Sequence, residues 1–275
     1  MTYENLGGGA LDYYPCRYGK SKLLFRGPKR KLDQPYVAVL GGSETYGKFL
    51  ERPYAALVEE RMDFPFVNLG CVNAGTDVFV NDQSIIDICA NARVTVVQLM
   101  GAQNLSNRFY AVHPRRNDRF LRASNLLKTI YREVDFTEFN FNKHLLMALH
   151  QASPDKFAMV AEELKEAWVA RMKNLISKIE GRVVLLWMSD RAPEARQNCS
   201  LESGDPLFIG QEMIDELLPF VSGLAEVIVS AEEIAEGQKD LVFAETEAPA
   251  TAGMLGSIAQ EKAADVLEEI LTPLL

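Results

Sequence analysis

The residue best placed to do chemistry is Ser43, in Val37-Ala38-Val39-Leu40-Gly41-Gly42-Ser43-Glu44-Thr45-Tyr46-Gly47-Lys48. Four aliphatic residues and two glycines read as a buried parallel strand that ends in a tight turn, and the carboxyl end of such a strand is where an open α/β sheet binds ligands. A serine there is an exposed nucleophile for attack on a carbonyl. The same stretch fits the first seven positions of the phosphate-cradling pattern G-x-x-x-x-G-K-[ST], in which backbone N–H groups and a lysine hold nucleotide phosphates. Its eighth position is Phe49, which has no hydroxyl for Mg²⁺. A third reading is a plain turn joining strand to helix.

The next two apolar runs end in the same way. Phe66-Val67-Asn68-Leu69-Gly70 opens into the small-residue loop Cys71-Val72-Asn73-Ala74-Gly75-Thr76, and Val94-Thr95-Val96-Val97-Gln98-Leu99-Met100 opens into Gly101-Ala102-Gln103-Asn104. Three successive strands thus exit into Ser, Gly and Asn. On these blocks the chain resembles the SGNH, or GDSL-type, hydrolase superfamily of esterases and acyl-transferases. The resemblance implies Ser43 as nucleophile. The oxyanion would be held by the N–H of Ser43, the N–H of Gly70 and the side-chain amide of Asn104, with Asn73 as a substrate contact. It also implies ester hydrolysis or acyl transfer with no cofactor and no metal.

The fourth block departs. The family's Asp-x-x-His before the last helix corresponds to Glu245-Thr246-Glu247-Ala248, with Ala248 where the histidine base belongs and Glu245 at the acid position. Gly42 also replaces the usual aspartate before the serine. The chain has three histidines. His144 and His150 lie in an amphipathic helical stretch, whereas His113 follows Asn104 from the same edge of the sheet and is the candidate base. Without a base, two rival readings remain: a non-catalytic ligand-binding protein, or a nucleotide-dependent kinase or sulfotransferase using Gly42 to Lys48.

Charge points to an anionic ligand. Arg108, Arg115, Arg116, Arg119 and Arg122 crowd fifteen residues against the single acid Asp118, in a chain of net charge −9. Paired guanidinium donors suit carboxylate, phosphate or sulfate, so Arg108, Arg115 and Arg116 are candidate substrate contacts. A second basic stretch, Arg17 to Lys31, carries seven positive residues and no acid. A pI near 5 argues against nucleic acid as partner, and a small or glycan-linked anionic molecule is the expected substrate.

The elements that position these residues follow from pattern. Strands are expected at 37–40, 66–70, 94–100, 183–188 and 225–230, and helices at 47–62, 81–92, 156–179, 211–220, 232–237 and 255–271. Phe157, Val160, Leu164, Trp168, Met172, Leu175 and Ile179 form a core stripe. Together they predict a three-layer α/β/α sandwich on a mostly parallel five-stranded sheet, flavodoxin-like in plan and SGNH-like by resemblance. Residues 1–35 read as an N-terminal extension. Residues 36–275 read as one α/β domain, with a helical, cap-like insertion at about 105–155. Gly7 to Gly9 suggest a mobile or sharply turning start. Asp190 ends the fourth strand, and Asp205 sits in a loop over the active edge.

No apolar run approaches a membrane span, Met1 to Gly7 lacks a signal-peptide pattern, and Cys16, Cys71, Cys89 and Cys199 show no metal or disulfide spacing. The expectation is a reduced, cytoplasmic protein with Cys71 as a packing residue.

Overall fold

The structure is a computed structural model that describes residues 11–194, 201 and 204–275. Gly7 to Gly9, the rest of the first ten residues and Cys199 lie outside the described residues. The chain runs β1 (Val37–Gly41), α1 (Ser43–Tyr46), α2 (Tyr54–Met62), β2 (Phe66–Gly70), α3 (Thr76–Val80), α4 (Gln83–Ala90) and β3 (Val94–Gln98). A hairpin of β4 (Tyr110–His113) and β5 (Arg116–Ala123) comes next, with α5 (Asn125–Ile130) and α6 (Asn142–Ala152). The second half holds α7 (Pro154–Ile179), β6 (Val183–Ser189), α8 (Gln211–Asp215), β7 (Gly223–Ile228), α9 (Ala231–Gly237) and α10 (Ser257–Leu271).

The main sheet has the order β2-β1-β3-β6-β7 and every neighbouring pair is parallel. Alternate residues of each strand go to opposite faces. Ala38, Leu40, Val67, Leu69, Val97, Leu185 and Trp187 join α3, α4 and α7 in one core. Val37, Val39, Val94, Val96, Val184 and Leu186 join α2 and α10 in the other. Burial on both faces is why these strands read as unbroken apolar runs. The three-layer α/β fold with five parallel strands is therefore as expected. Its strand order reverses between β1 and β3, the switch point at which open sheets of this kind bind ligands.

Local signals set several boundaries. The Asp82 carboxylate accepts from Ser84 and Ile85 N–H at the start of α4, Ser153 and Pro154 open α7, and a capping box at Ser230 and Glu233 opens α9. All seven stripe residues of α7 are buried.

Several boundaries differ from expectation: the helix expected over 211–220 ends at Asp215, the strand expected over 225–230 is Gly223–Ile228, and α3 precedes the helix expected over 81–92. The helix expected over 47–62 is broken, because Gly47 (φ 70°) and Phe49 (φ 68°) take left-handed conformations and α2 restarts only after Pro53. The N-terminal segment takes up the backbone groups this leaves free. Arg26 donates to Gly47 O at 2.5 Å and Glu51 O at 2.6 Å, and the Phe49 N–H donates to Tyr13 Oη at 2.9 Å. Arg26 thus leaves the basic stretch for a structural post, while Tyr18 and Phe25 from the same segment enter the core. The region 105–155 contains the expected helices, preceded by the β4–β5 hairpin that the sequence pattern did not separate. Among the described residues, no helix is long and apolar enough to cross a membrane.

Candidate active site at the end of β1

The serine turn is shaped by a side chain of the next strand. Gln98, buried at the end of β3, turns its Oε1 toward the turn and accepts from Gly42 N–H (3.0 Å), Thr45 N–H (3.3 Å) and Thr45 Oγ (2.6 Å). Thr45 Oγ also meets Tyr54 Oη at 2.7 Å. Tyr46 N–H closes on Gly42 O, and Gly47 N–H on Ser43 O and Glu44 O. These bonds occupy the N–H groups of Gly42, Thr45, Tyr46 and Gly47, and Lys48 lies over the Phe49 ring at 4.4 Å with Glu247 Oε1 at 3.9 Å. The turn is therefore a one-turn helix presenting a serine, with most of the amides that a phosphate loop aims at its ligand already bonded within the protein. Among the described residues, Ser43 N–H has no acceptor.

Gly70 does not serve as the donor the family pattern implied. Its N–H is already given to Asn68 Oδ1 at 2.9 Å, and it is absent from the wall of the serine's cavity. A Cβ at this position would collide with the Tyr46 nitrogen, so the glycine is there to let α1 lie directly on β2. The neighbouring amide that does reach the serine belongs to Asn73. Its N–H donates to Ser43 Oγ at 3.1 Å, and its Oδ1 accepts from the same hydroxyl at 3.3 Å. Asn73 adopts φ 55°, a left-handed turn that asparagine tolerates, and this aims its N–H at the serine. Asn73 Nδ2 reaches Asp118 Oδ2 at 3.5 Å.

Asn104 lines the same cavity and is held from the insertion. Asn142, fully buried at the start of α6, donates its Nδ2 to Asn104 Oδ1 (3.1 Å) and to Asn117 O (2.5 Å). This fixes the Asn104 carboxamide by its oxygen and leaves its NH₂ for the cavity. Asn117, also fully buried, accepts from Gly75 N–H (3.2 Å) and Val78 N–H (2.9 Å), pinning the Asn73 turn to the hairpin. Gly75 in turn sits so close to Asn104 O that any Cβ would strike it. Sequence reasoning missed Gln98, Asn117 and Asn142. Their only trace is a polar side chain inside or beside an apolar run, where an amide must find buried partners.

The structure brings Ser43, Asn73 and Asn104 to one cavity of about 440 Å³, lined also by Glu44, Lys48, Gln98, Lys143, Asp190 and Asp205. It does not bring His113 there. That ring lies in the hairpin turn, its Nδ1 accepting from Arg115 N–H at 3.3 Å, and none of the chain's three histidines lines the cavity. The arginines are likewise elsewhere. Arg108 pairs with the buried Glu163 on α7 (Nε to Oε2, 2.6 Å), and Arg115 and Arg116 are exposed at the tip of the hairpin. Glu245 and Ala248 are exposed and do not reach the cavity, to which their segment contributes Ala250, Ala252 and Gly253.

The positive charge of the cavity comes from Lys48 and Lys143. Among the described residues, Lys143 has no acidic partner. Burial pushes the Glu44 carboxyl up to about 7, against the pull of hydrogen bonds from Leu255 N–H (2.9 Å) and Gln260 Nε2 (2.8 Å). Burial likewise pushes the Cys71 thiol up to about 12, which leaves it an inert packing group. Among the described residues, no group of three or more His, Cys, Asp or Glu is placed to hold a metal ion.

The chain belongs to the family described as domain of unknown function DUF6473, whose model matches residues 1–275. No curated protein matches it. Among solved structures it is similar to a gut microbial diltiazem-metabolizing enzyme (12% identity, TM-score 0.42), with 88% of this chain covering 48% of that one. The chain thus spans about half that protein's length. It is also similar to a family two carbohydrate esterase from Clostridium thermocellum in complex with cellohexaose (11%, TM-score 0.43, 91% of this chain and 67% of that one). A third is a protein described as a GDSL-like lipase from Parabacteroides merdae (11%, TM-score 0.41, 88% and 96%).

Proposed function

We propose that this DUF6473 protein is a serine acyl hydrolase or acyl-transferase on the SGNH plan, acting on a small ester that carries negative charge. The observation that carries the reading is the Asn73 N–H set 3.1 Å from Ser43 Oγ on a wall shared with Asn104. In this reading Ser43 Oγ bonds to the ester carbonyl carbon and the carbonyl oxygen becomes the oxyanion. Its donors are Ser43 N–H, Asn73 N–H and Asn104 Nδ2, fixed in advance by Gln98, the Asn73 turn and Asn142. The C–O bond to the alcohol then breaks, the alcohol leaves with a proton, and water or a second alcohol takes the acyl group from the serine.

The serine's proton must go to a group other than histidine. Asp190 and Asp205, both exposed on the cavity wall, are the acceptors assigned here, with Gln103 Nε2 donating to Asp205 Oδ1 at 3.4 Å. Lys48 and Lys143 take the negative charge of the substrate, the part first given to arginines. The test is labelling with a fluorophosphonate. Wild type is expected to react, Ser43→Ala to lose all label, and Asp190→Asn with Asp205→Asn to slow it by about 10²-fold or more. Labelling retained in Ser43→Ala overturns the reading.

A second reading has one observation in its favour. The groups within hydrogen-bond reach of Ser43 Oγ are a carboxamide and an amide N–H, neither of which takes up a proton. A ligand-binding protein that retains the oxyanion cradle as a carboxylate receptor fits that fact, and it predicts no labelling of wild type at any pH.

A further inference from the structure

Much of the rest of the cavity lining is aliphatic. Leu99, Met100, Met188, Leu207, Ile234 and Met254 line the cavity, three of them methionines, and among the described residues no aromatic side chain lines it. All but Ile234 are otherwise buried in the core. Sugar rings are commonly held on flat aromatic faces, whereas unbranched thioether chains adapt to a flexible aliphatic guest. The segment before α10 brings Ala250, Ala252, Gly253, Met254 and Leu255 to the wall. Gly253 is exposed and a Cβ built on it would meet nothing within 4 Å, so this end of the cavity opens to solvent.

We infer that the cavity accepts an aliphatic acyl chain, so that the substrate is an acyl ester of several carbons rather than an acetylated glycan. The inference rests on the serine reading for the position of the carbonyl and names the chain that carbonyl bears. The carboxyl carbon sits at Ser43, Asn73 and Asn104, and the chain runs along Met100, Met188 and Met254 toward Gly253.

The test is calorimetric binding of acetate, butanoate and octanoate, which needs no turnover. Each buried CH₂ contributes about fourfold in affinity, so octanoate is expected to bind at least about a hundredfold more tightly than acetate. Gly253→Phe, which fills open space at an exposed position, is expected to weaken octanoate by about tenfold or more and leave acetate within about twofold. Equal affinity across the three acids overturns the inference, as does glucuronate binding as tightly as octanoate. Fluorophosphonate labelling run in parallel separates the two failures. Label on Ser43 with a flat chain-length series sinks the chain assignment alone, and a steep series without label sinks the serine chemistry while sustaining the chain assignment.

Discussion

Asn73 grips Ser43 from both sides, its N–H donating to the serine oxygen at 3.1 Å while its Oδ1 accepts the serine proton at 3.3 Å. One residue therefore sets an N–H beside the serine oxygen and holds the hydroxyl in its resting direction. Asn73→Gly keeps the N–H and suits the left-handed φ of 55°, removing the Oδ1 contact to the serine and the long Nδ2 contact to Asp118. It is expected to keep the fluorophosphonate label and to lose less than about 1 kcal/mol of stability by urea unfolding. Loss of label in this variant would show that the carboxamide, not the N–H, is the working group.

Asn104 is expected to matter more. Asn104→Ala removes a preorganised donor and should slow labelling by about 10²–10³-fold, with its circular dichroism spectrum unchanged. Asn142→Leu leaves Asn104 in place but unheld, and a smaller loss is expected. A labelling rate equal to wild type in Asn104→Ala removes that residue from the cradle.

His113 is expected to be dispensable. A general base contributes about 10²–10⁴-fold, so a labelling rate within about twofold of wild type in His113→Ala agrees with its place in the hairpin turn. A large loss would mean that the hairpin moves onto the cavity when a ligand arrives.

Gly70→Ala is a stability variant rather than an activity one. Its methyl group meets the Tyr46 backbone nitrogen, which cannot move without lifting α1 off β2. Destabilisation of about 2 kcal/mol or more is expected in urea unfolding. A loss below about 0.5 kcal/mol would show that α1 yields.

Glu44 sets a pH dependence of stability. Burial raises its folded-state value to about 7 from the ordinary 4.5, so between these the folded protein holds a proton that the unfolded chain has released. Stability from this group is therefore highest below about pH 4.5, falls as pH rises toward about 7 and levels off above, by up to roughly 3 kcal/mol in all. Glu44→Gln is expected to remove that component of the slope, whatever offset the lost carboxylate bonds introduce. An unchanged slope in the variant would place the titration elsewhere.

The strands, the parallel sheet and the long α7 helix are legible in the sequence because both sheet faces are buried and apolar runs follow directly from that. The ends of β1 and β3 announce Ser43 and Asn104 for the same reason: a ligand edge lies where an apolar run stops. Which amide meets the serine is not written there. Gly70 at the end of β2 and Asn73 in the loop after it stand three residues apart, and only the left-handed turn at Asn73 and the Asn68 side chain taking the Gly70 N–H decide between them. The charge of the cavity was likewise hidden. Arginine clusters are visible in sequence, but Arg108 is spent on Glu163, while two scattered lysines, Lys48 and Lys143, are gathered by folding. Short-range pattern fixes what a segment is, through propensity and burial; which groups share a cavity depends on contacts between segments far apart in the chain, and those exist only once the layers have packed.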